Sequence, residues 1–422
     1  MPERTAEDLL RRAQLAEQSG RAEEAAAAWR ELAISFPRHP AVLFHEGRNR
    51  VQHGDHAGGA ALLREAEVAD PNNPEAPLFL ALAFNMQGAH REALAALDRA
   101  LAIDPYYFLA LLSKGKVLEQ MGRARSAANI YRNALKVAPA PERLPASVRA
   151  PYERAKTLVE QNAQALARHL HERTADMRKR FQSADLRRFD ECLGILAGVQ
   201  KRHTQEPLLL YFPRLPAIPF FDRDLFPWLG RLEAATDEIR REFQRVYAED
   251  AAKFNPYMQI PAGAPVNQWR ELNNSPAWST FFLWKDGRRD DANCARCQQT
   301  AAVLESLPMA HQAGYGPTAM FSVLAPRTAI PPHTGSSNTR LIVHLPLVLP
   351  GPCRFRVGNE TRDWKMGEAW VFDDTIEHEA WNDSDEARAI LIFDVWNPLL
   401  TDAERELVAA MMTALNEYGV DA

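Results

Sequence analysis

The 422-residue sequence is poor in cysteine, with only Cys192, Cys294, Cys297 and Cys353. So few in so long a chain exclude the disulfide framework that holds small secreted domains together. Only Cys294 and Cys297 are close. One C-x-x-C without a second Cys or His pair nearby is a weak metal or redox signal, and the plainer reading is two ordinary thiols in a loop; spacing leaves their pairing open. No run of about 18 apolar residues occurs, so no membrane-spanning helix is expected. The net charge of −5 offers no global attraction to nucleic acid or to anionic lipid. The opening MPERTAEDLLRRAQLAEQSG carries charges where a signal peptide has its apolar stretch, so the expectation is a cytoplasmic chain.

What is present is a globular composition, 46% hydrophobic and 25% charged, in a chain long enough for two or three domains. The first third repeats. Gly20, Gly54, Gly88 and Gly122 are spaced by 34, as are Pro37, Pro71, Pro105 and Pro139. Five residues after each glycine stands a small residue (Ala25, Gly59, Ala93, Ala127), and nine after it a large one (Trp29, Leu63, Leu97, Tyr131). Seven before each glycine stands another small one (Ala13, Gly47, Ala81, Gly115). Small residues let two antiparallel helices approach, the large one fills the gap toward the next unit, glycine turns the chain and proline stops the second helix. This pattern resembles the tetratricopeptide repeat and covers residues 6–141 as four repeats. The resemblance implies an all-α solenoid whose groove takes a protein or peptide partner; the plainer alternative is a packing or dimerisation scaffold. Residues 142–204 stay helical in pattern and read as a cap or linker, in which His169 and His171 lie on different helix faces and make a poor metal pair.

From Leu210 on, proline, aromatic and β-branched residues rise. Short apolar runs at Phe321–Leu324, Leu341–Leu349, Cys353–Val357, Ala369–Phe372 and Ala389–Val395 are separated by turn-rich segments, which predicts a sandwich or barrel. Helices are expected around Leu225–Ala248, Cys297–Ser306 and Asp402–Tyr418. In PPHTGSSNTRLIVHLPLVLP, strand alternation sends Leu341, Val343 and Leu345 to one face and Arg340, Ile342 and His344 to the other. A face bearing Arg and His suggests a cavity lining, and a buried arginine there needs an anionic partner. In GEAWVFDDTIEHEAWNDSDEARAILIFDVW, His378 and Arg388 flank a turn near Asp383 and are expected to lie roughly opposite each other in a hairpin. Imidazoles and arginines in one cavity suit a divalent metal with an anionic co-substrate; the residues alone leave equal room for ordinary core and surface histidines.

At these residues the sequence is similar to the aspartyl/asparaginyl β-hydroxylase family. The matching blocks are FPRLPAIPFFDRDLFPWL, WSTFFLWKDGRR, PPHTGSSNTRLIVHLPLVLPGPCRFRVG and GEAWVFDDTIEHEAWNDSDEARAILIFDVWNP, within residues 205–400. The resemblance implies a double-stranded β-helix (jelly-roll, cupin-like) domain with flanking helices over 205–422, joined to the repeat solenoid in a multidomain α + β chain. It implies Fe(II) held by His333 and His378. It implies 2-oxoglutarate held by Arg388, with Ser322 assisting and His344 at the other carboxylate, and Arg340 near the substrate. The activity implied is hydroxylation, with O₂, of the β-carbon of an Asp or Asn residue in a protein or peptide recruited by the repeats. Open alternatives are a small amino-acid-containing substrate and a catalytically inactive scaffold. Most relatives with this fold add a carboxylate ligand two residues after the first histidine; here that residue is Gly335, as in the β-hydroxylases. Ile342 departs from the family, whose eukaryotic members carry arginine there, which leaves His344 to serve the metal-proximal carboxylate alone or with another group.

Overall fold

The 34-residue period becomes four helical hairpins in a computed structural model, which describes residues 5–250 and 253–418. They are α1 (Ala6–Gln18) with α2 (Ala22–Ser35), α3 (Pro40–Gln52) with α4 (His56–Ala69), α5 (Glu75–Met86) with α6 (His90–Ile103), and α7 (Phe108–Gln120) with α8 (Ala124–Val137). The four turn glycines adopt φ between +70° and +91°, a left-handed conformation that disfavours a Cβ although the space around each is open. Each second helix stops two residues before its proline. The small columns serve close approach instead. At Gly115 an added Cβ would run into the ring of buried Tyr131 on the facing helix. Gly115→Ala is therefore expected to destabilise this unit by about 1–3 kcal/mol, read as a lower urea midpoint at unchanged slope.

After α8 come a 35-residue helix, α9 (Ala146–Arg180), and α10 (Arg187–Ala197). Ala155 and Leu158 of α9 complete the core of the last repeat with Leu118 and Tyr131. The chain divides into two compact units between Gln200 and Lys201.

In the second unit the expected helix at 225–248 is two, α11 (Leu229–Ala234) and α12 (Thr236–Glu249), and α13 (Asp291–Arg296) precedes α14 (Gln298–Glu305). The terminal helix α15 spans Asp402–Tyr418. The strands are β1 (Asn255–Pro256), β2 (Trp278–Lys285), β3 (Arg288–Arg289), β4 (Ala319–Leu324), β5 (Thr328–His333), β6 (Arg340–Val348), β7 (Cys353–Val357), β8 (Glu360–Asp363), β9 (Trp370–Phe372), β10 (His378–Asn382) and β11 (Arg388–Trp396). The larger sheet runs β1-β2-β4-β11-β6-β9 with β3 on β2, and the smaller β5-β10-β7-β8, every pair antiparallel. From β4 to β11 the chain passes repeatedly between the sheets, which is the strand order of a double-stranded β-helix.

The alternation along β6 sorts its residues between two apolar clusters. Leu341, Val343 and Leu345 join the core that packs the larger sheet against α11, α12 and α14. Ile342 belongs with the second core, which draws on both sheets. All four cysteines are free. Burial pushes the thiols of Cys294 and Cys297 up to about 11 and about 12, so both stay protonated and inert at neutral pH. Among the described residues no helix is long and apolar enough to cross a membrane.

Candidate active site

A cavity of about 1030 Å³ is lined from both sheets of the second unit, and His333, His378, Arg388, Ser322, His344 and Arg340 all border it. His333 ends β5 and His378 begins β10, where the two are register partners, with ring centroids 4.1 Å apart. Each Nδ1 faces a backbone carbonyl two residues back: His333 meets Pro331 O at 2.8 Å and His378 meets Ile376 O at 3.0 Å. A carbonyl only accepts, so each Nδ1 carries the proton, and in the neutral ring each Nε2 keeps a free lone pair. Burial lowers both histidines' pKa values, and the neighbouring His333 lowers that of His378 further. The strands thus present two neutral imidazoles side by side, the form in which histidine binds metal.

Arg388 opens β11 and is 1% exposed, yet among the described residues its guanidinium has no ion pair and no hydrogen bond; Nε and Nη1 are buried without an acceptor. Burial lowers its pKa to about 10, which leaves it cationic at neutral pH. An isolated buried charge costs several kcal/mol in order of magnitude, so the site is incomplete without an anion. Ser322 lies on the adjoining β4, opposite Ile390 of β11. Its Oγ accepts the indole N–H of Trp278 at 3.0 Å, which directs the hydroxyl proton elsewhere. His344 has a buried Nδ1 with no partner, and burial, then Arg388, then His378 hold its ring neutral. Guanidinium, imidazole and hydroxyl on one cavity make a receptor for a carboxylate-bearing molecule.

The expected hairpin between His378 and Arg388 does not form. β10 pairs with β5 and β7 in one sheet, β11 with β4 and β6 in the other, so the two residues reach the cavity from different sheets. Asn382 holds the corner between them: its side-chain amide donates to Leu324 O, Ala325 O and Glu386 O at 2.8–3.0 Å. Arg340 is part-buried with a carboxylate partner, as its position demanded, but the partner is the protein's own, fully buried Asp394, 2.5 Å away. The Asp394 carboxylate also accepts the Thr318 N–H at 2.9 Å.

Sequence reasoning missed Asp374 and Trp364. Asp374 lines the cavity with Oδ1 unpartnered, and burial pushes its carboxyl up to about 7. Its carboxylate fills the place where a Cβ on residue 335 would stand, which is a steric reason for Gly335. The pair Asp373-Asp374 at the end of an apolar run was the available signal. Asp373 is structural, capping Thr375 N at 3.0 Å and accepting Gln205 Nε2 at 2.6 Å. Gln205 Oε1 in turn accepts from Asn338 at 3.1 Å, tying together the segments that follow His333 and precede His378. Among the described residues no three His, Cys, Asp or Glu side chains group as metal ligands; His333 and His378 are the two histidines whose rings meet at this cavity.

Strand order and cavity together define a double-stranded β-helix domain with a polar pocket between its sheets. Residues 233–398 match the aspartyl/asparaginyl beta-hydroxylase family profile, and residues 10–74 and 44–108 match the tetratricopeptide repeat. The chain is 34% identical over 186 residues to human aspartyl/asparaginyl beta-hydroxylase, a match covering 44% of this chain and 24% of that protein. It is 32% identical over 202 residues to the ornithine lipid ester-linked acyl 2-hydroxylase of Rhizobium tropici, covering 47% of this chain and 67% of that one. It is 31% identical over 207 residues to human aspartate beta-hydroxylase domain-containing protein 2, covering 48% and 53%. The chain belongs to the aspartyl/asparaginyl β-hydroxylase family and carries tetratricopeptide repeats ahead of the family domain. It spans about a quarter of the human β-hydroxylase's length and two-thirds of the bacterial relative's.

Proposed function

We propose that the second unit is an Fe(II)- and 2-oxoglutarate-dependent hydroxylase. The observation that carries this reading is Arg388, a buried cation without a counter-ion on the same cavity as two neutral histidines. The donor set fits the two groups: the Nε2 atoms of His333 and His378 would hold the metal, and the unsatisfied N–H groups of Arg388 would hold a carboxylate. Ser322 would share the Arg388-bound carboxylate, and His344 would meet the carboxylate nearer the metal. When bound, iron with O₂ and 2-oxoglutarate supplies decarboxylation of the oxoacid to succinate and insertion of one oxygen atom into a substrate C–H bond. The protein's own work is to fix the imidazole tautomers through Pro331 O and Ile376 O, to hold the oxoacid at both ends, and to line the rest of the cavity with apolar side chains such as Ile342, Phe355 and Phe372. Arg340, held by Asp394, would border the substrate.

The substrate we propose is an Asp or Asn residue in a protein or peptide brought by the repeat unit, hydroxylated at the β-carbon. A cavity of about 600 Å³ on that unit, bordered by Leu82, Asn85, Met86, Ser113 and Lys116, supports a peptide seat. A second reading, a small amino-acid-containing molecule, is favoured by the relative named for an ornithine lipid, of which the chain covers 67%. The free Arg388 speaks against an inactive scaffold, which would have no use for an unpaired buried charge. Succinate release from 2-oxoglutarate with Fe(II) tests the activity, and a mass gain of one oxygen on a captured peptide or on a lipid extract separates the substrates. No succinate above a metal-free control, with any substrate, would sink the assignment.

A further inference from the structure

Arg388 is buried without a counter-ion, and the contact that meets its charge is aromatic. The guanidinium carbon lies 4.5 Å from the ring centre of Trp364. Trp364 sits in the connection between β8 and β9, so a residue of the crossover between sheets reaches a residue at the start of β11. It is 6% exposed and held in an aromatic column, stacked on Phe355 at 5.5 Å and 26° and on Trp370 at 5.8 Å and 12°. Its backbone N–H donates to Cys353 O at 3.3 Å, and its indole N–H is buried with no acceptor.

Resting on the proposed 2-oxoglutarate chemistry, we propose that Trp364 is the positioning residue of the oxoacid site: its π face holds the Arg388 guanidinium charged and aimed while leaving every N–H of the cation free for the distal carboxylate. The physical case is one of exclusion. A buried cation can be stabilised by a carboxylate, but a protein carboxylate would accept the N–H groups that the ligand needs and would close the site. An aromatic quadrupole attracts the cation through its face and accepts none of the in-plane donors. The remaining contacts agree. Ser322 lies on the neighbouring strand with its proton uncommitted, and no described acid touches Arg388. The stack also restrains rotation of the guanidinium plane, so the donor fork is formed before the ligand arrives, which lowers the ordering cost of binding.

The test is calorimetric binding of 2-oxoglutarate to the full-length protein loaded with Mn(II), where no turnover occurs, beside 2-oxobutyrate, which keeps the oxoacid end and lacks the distal carboxylate. Trp364→Met, which fills much of the volume without a π face, is expected to raise the dissociation constant for 2-oxoglutarate about tenfold, and Trp364→Phe by no more than about threefold. Binding of 2-oxobutyrate is expected to be unchanged in both. Equal weakening of both ligands, or unchanged 2-oxoglutarate binding in Trp364→Met, overturns the proposal. Should Trp364→Met fail to fold, site-specific fluorinated tryptophans at 364 keep the shape and withdraw π density. The dissociation constant should then climb with each fluorine, and a flat series overturns the proposal. A wild-type protein that binds Mn(II) but no 2-oxoglutarate removes the proposed function itself and this inference with it, an outcome distinct from binding that is insensitive to residue 364.

Discussion

Arg388→Ala is expected to raise the 2-oxoglutarate concentration for half-maximal succinate release about a thousandfold, with metal binding unchanged. Removing one member of a buried, hydrogen-bonded charge pair costs about 2–5 kcal/mol of binding, and the larger end of that range belongs to pairs with no water to replace the lost partner. Arg388 is at that end because it is 1% exposed. Arg388→Lys keeps the charge but loses the planar fork, so it should fall between the two. The stability of the ligand-free protein should move the other way. Arg388→Met removes a buried charge that has no counter-ion and keeps most of the volume, so its urea midpoint without ligand should equal or exceed that of the wild type, while stabilisation by added 2-oxoglutarate disappears. A residue conserving the fold would lose stability on substitution. An unchanged half-saturation in Arg388→Ala would remove the anchor role.

The repeat half was legible because its constraints are local and recur. A left-handed turn, a close helix approach and a helix stop each demand a residue type, and the 34-residue period repeats the demand four times. The strands of the second half were legible one by one, from apolar runs and from the alternation of Leu341, Val343 and Leu345 against Arg340, Ile342 and His344. Their pairing was not. A turn near Asp383 reads as a hairpin, whereas the backbone carbonyls that Asn382 gathers belong to a corner that carries the chain from one sheet to the other. Turn residues report that the chain reverses and leave open which sheet receives the next strand.

The same limit shaped the site. All six residues singled out from the sequence border one cavity; the histidines and arginines are conspicuous on strand faces, whereas Ser322 and the roles of all six came from the family resemblance. What lies between them was not visible. The alternation on β6 demanded an anionic partner for Arg340 without saying whether protein or ligand supplied it, and Asp394 answers from β11. Trp364 reads as one more aromatic in a strand-rich region; only its distance to Arg388 gives it a role. Asp374 is four residues before His378, but its carboxylate meets Gly335, 39 positions away in the chain. That contact turns the missing side chain at 335 from a gap in a motif into a steric necessity, since an aspartate there cannot be accommodated while Asp374 holds its place.

That geometry makes His378→Ala the other large effect: loss of stoichiometric metal binding, and with it loss of succinate release even at high iron. A site with three protein ligands can lose one and still hold metal weakly. With His333 and His378 as the proposed ligands and no group of three candidate ligands among the described residues, the variant would keep a single protein ligand. The remaining histidine also loses the ring that stands 4.1 Å away across the register pair. The change should be separable from misfolding. His378 is neutral and its Nδ1 bonds a carbonyl, so alanine leaves Ile376 O without that donor and opens a cavity beside Phe355 and Phe372, a cost of about 1–3 kcal/mol. His378→Gln, which can return a donor to that carbonyl, should recover part of the stability and little of the metal affinity. Titrating Mn(II) against the wild type and both variants, followed by paramagnetic resonance of the free ion, reads affinity without turnover. Wild-type affinity in His378→Ala would mean that the metal is held elsewhere, and the pairing of His333 with His378 would then be a feature of the sheet alone.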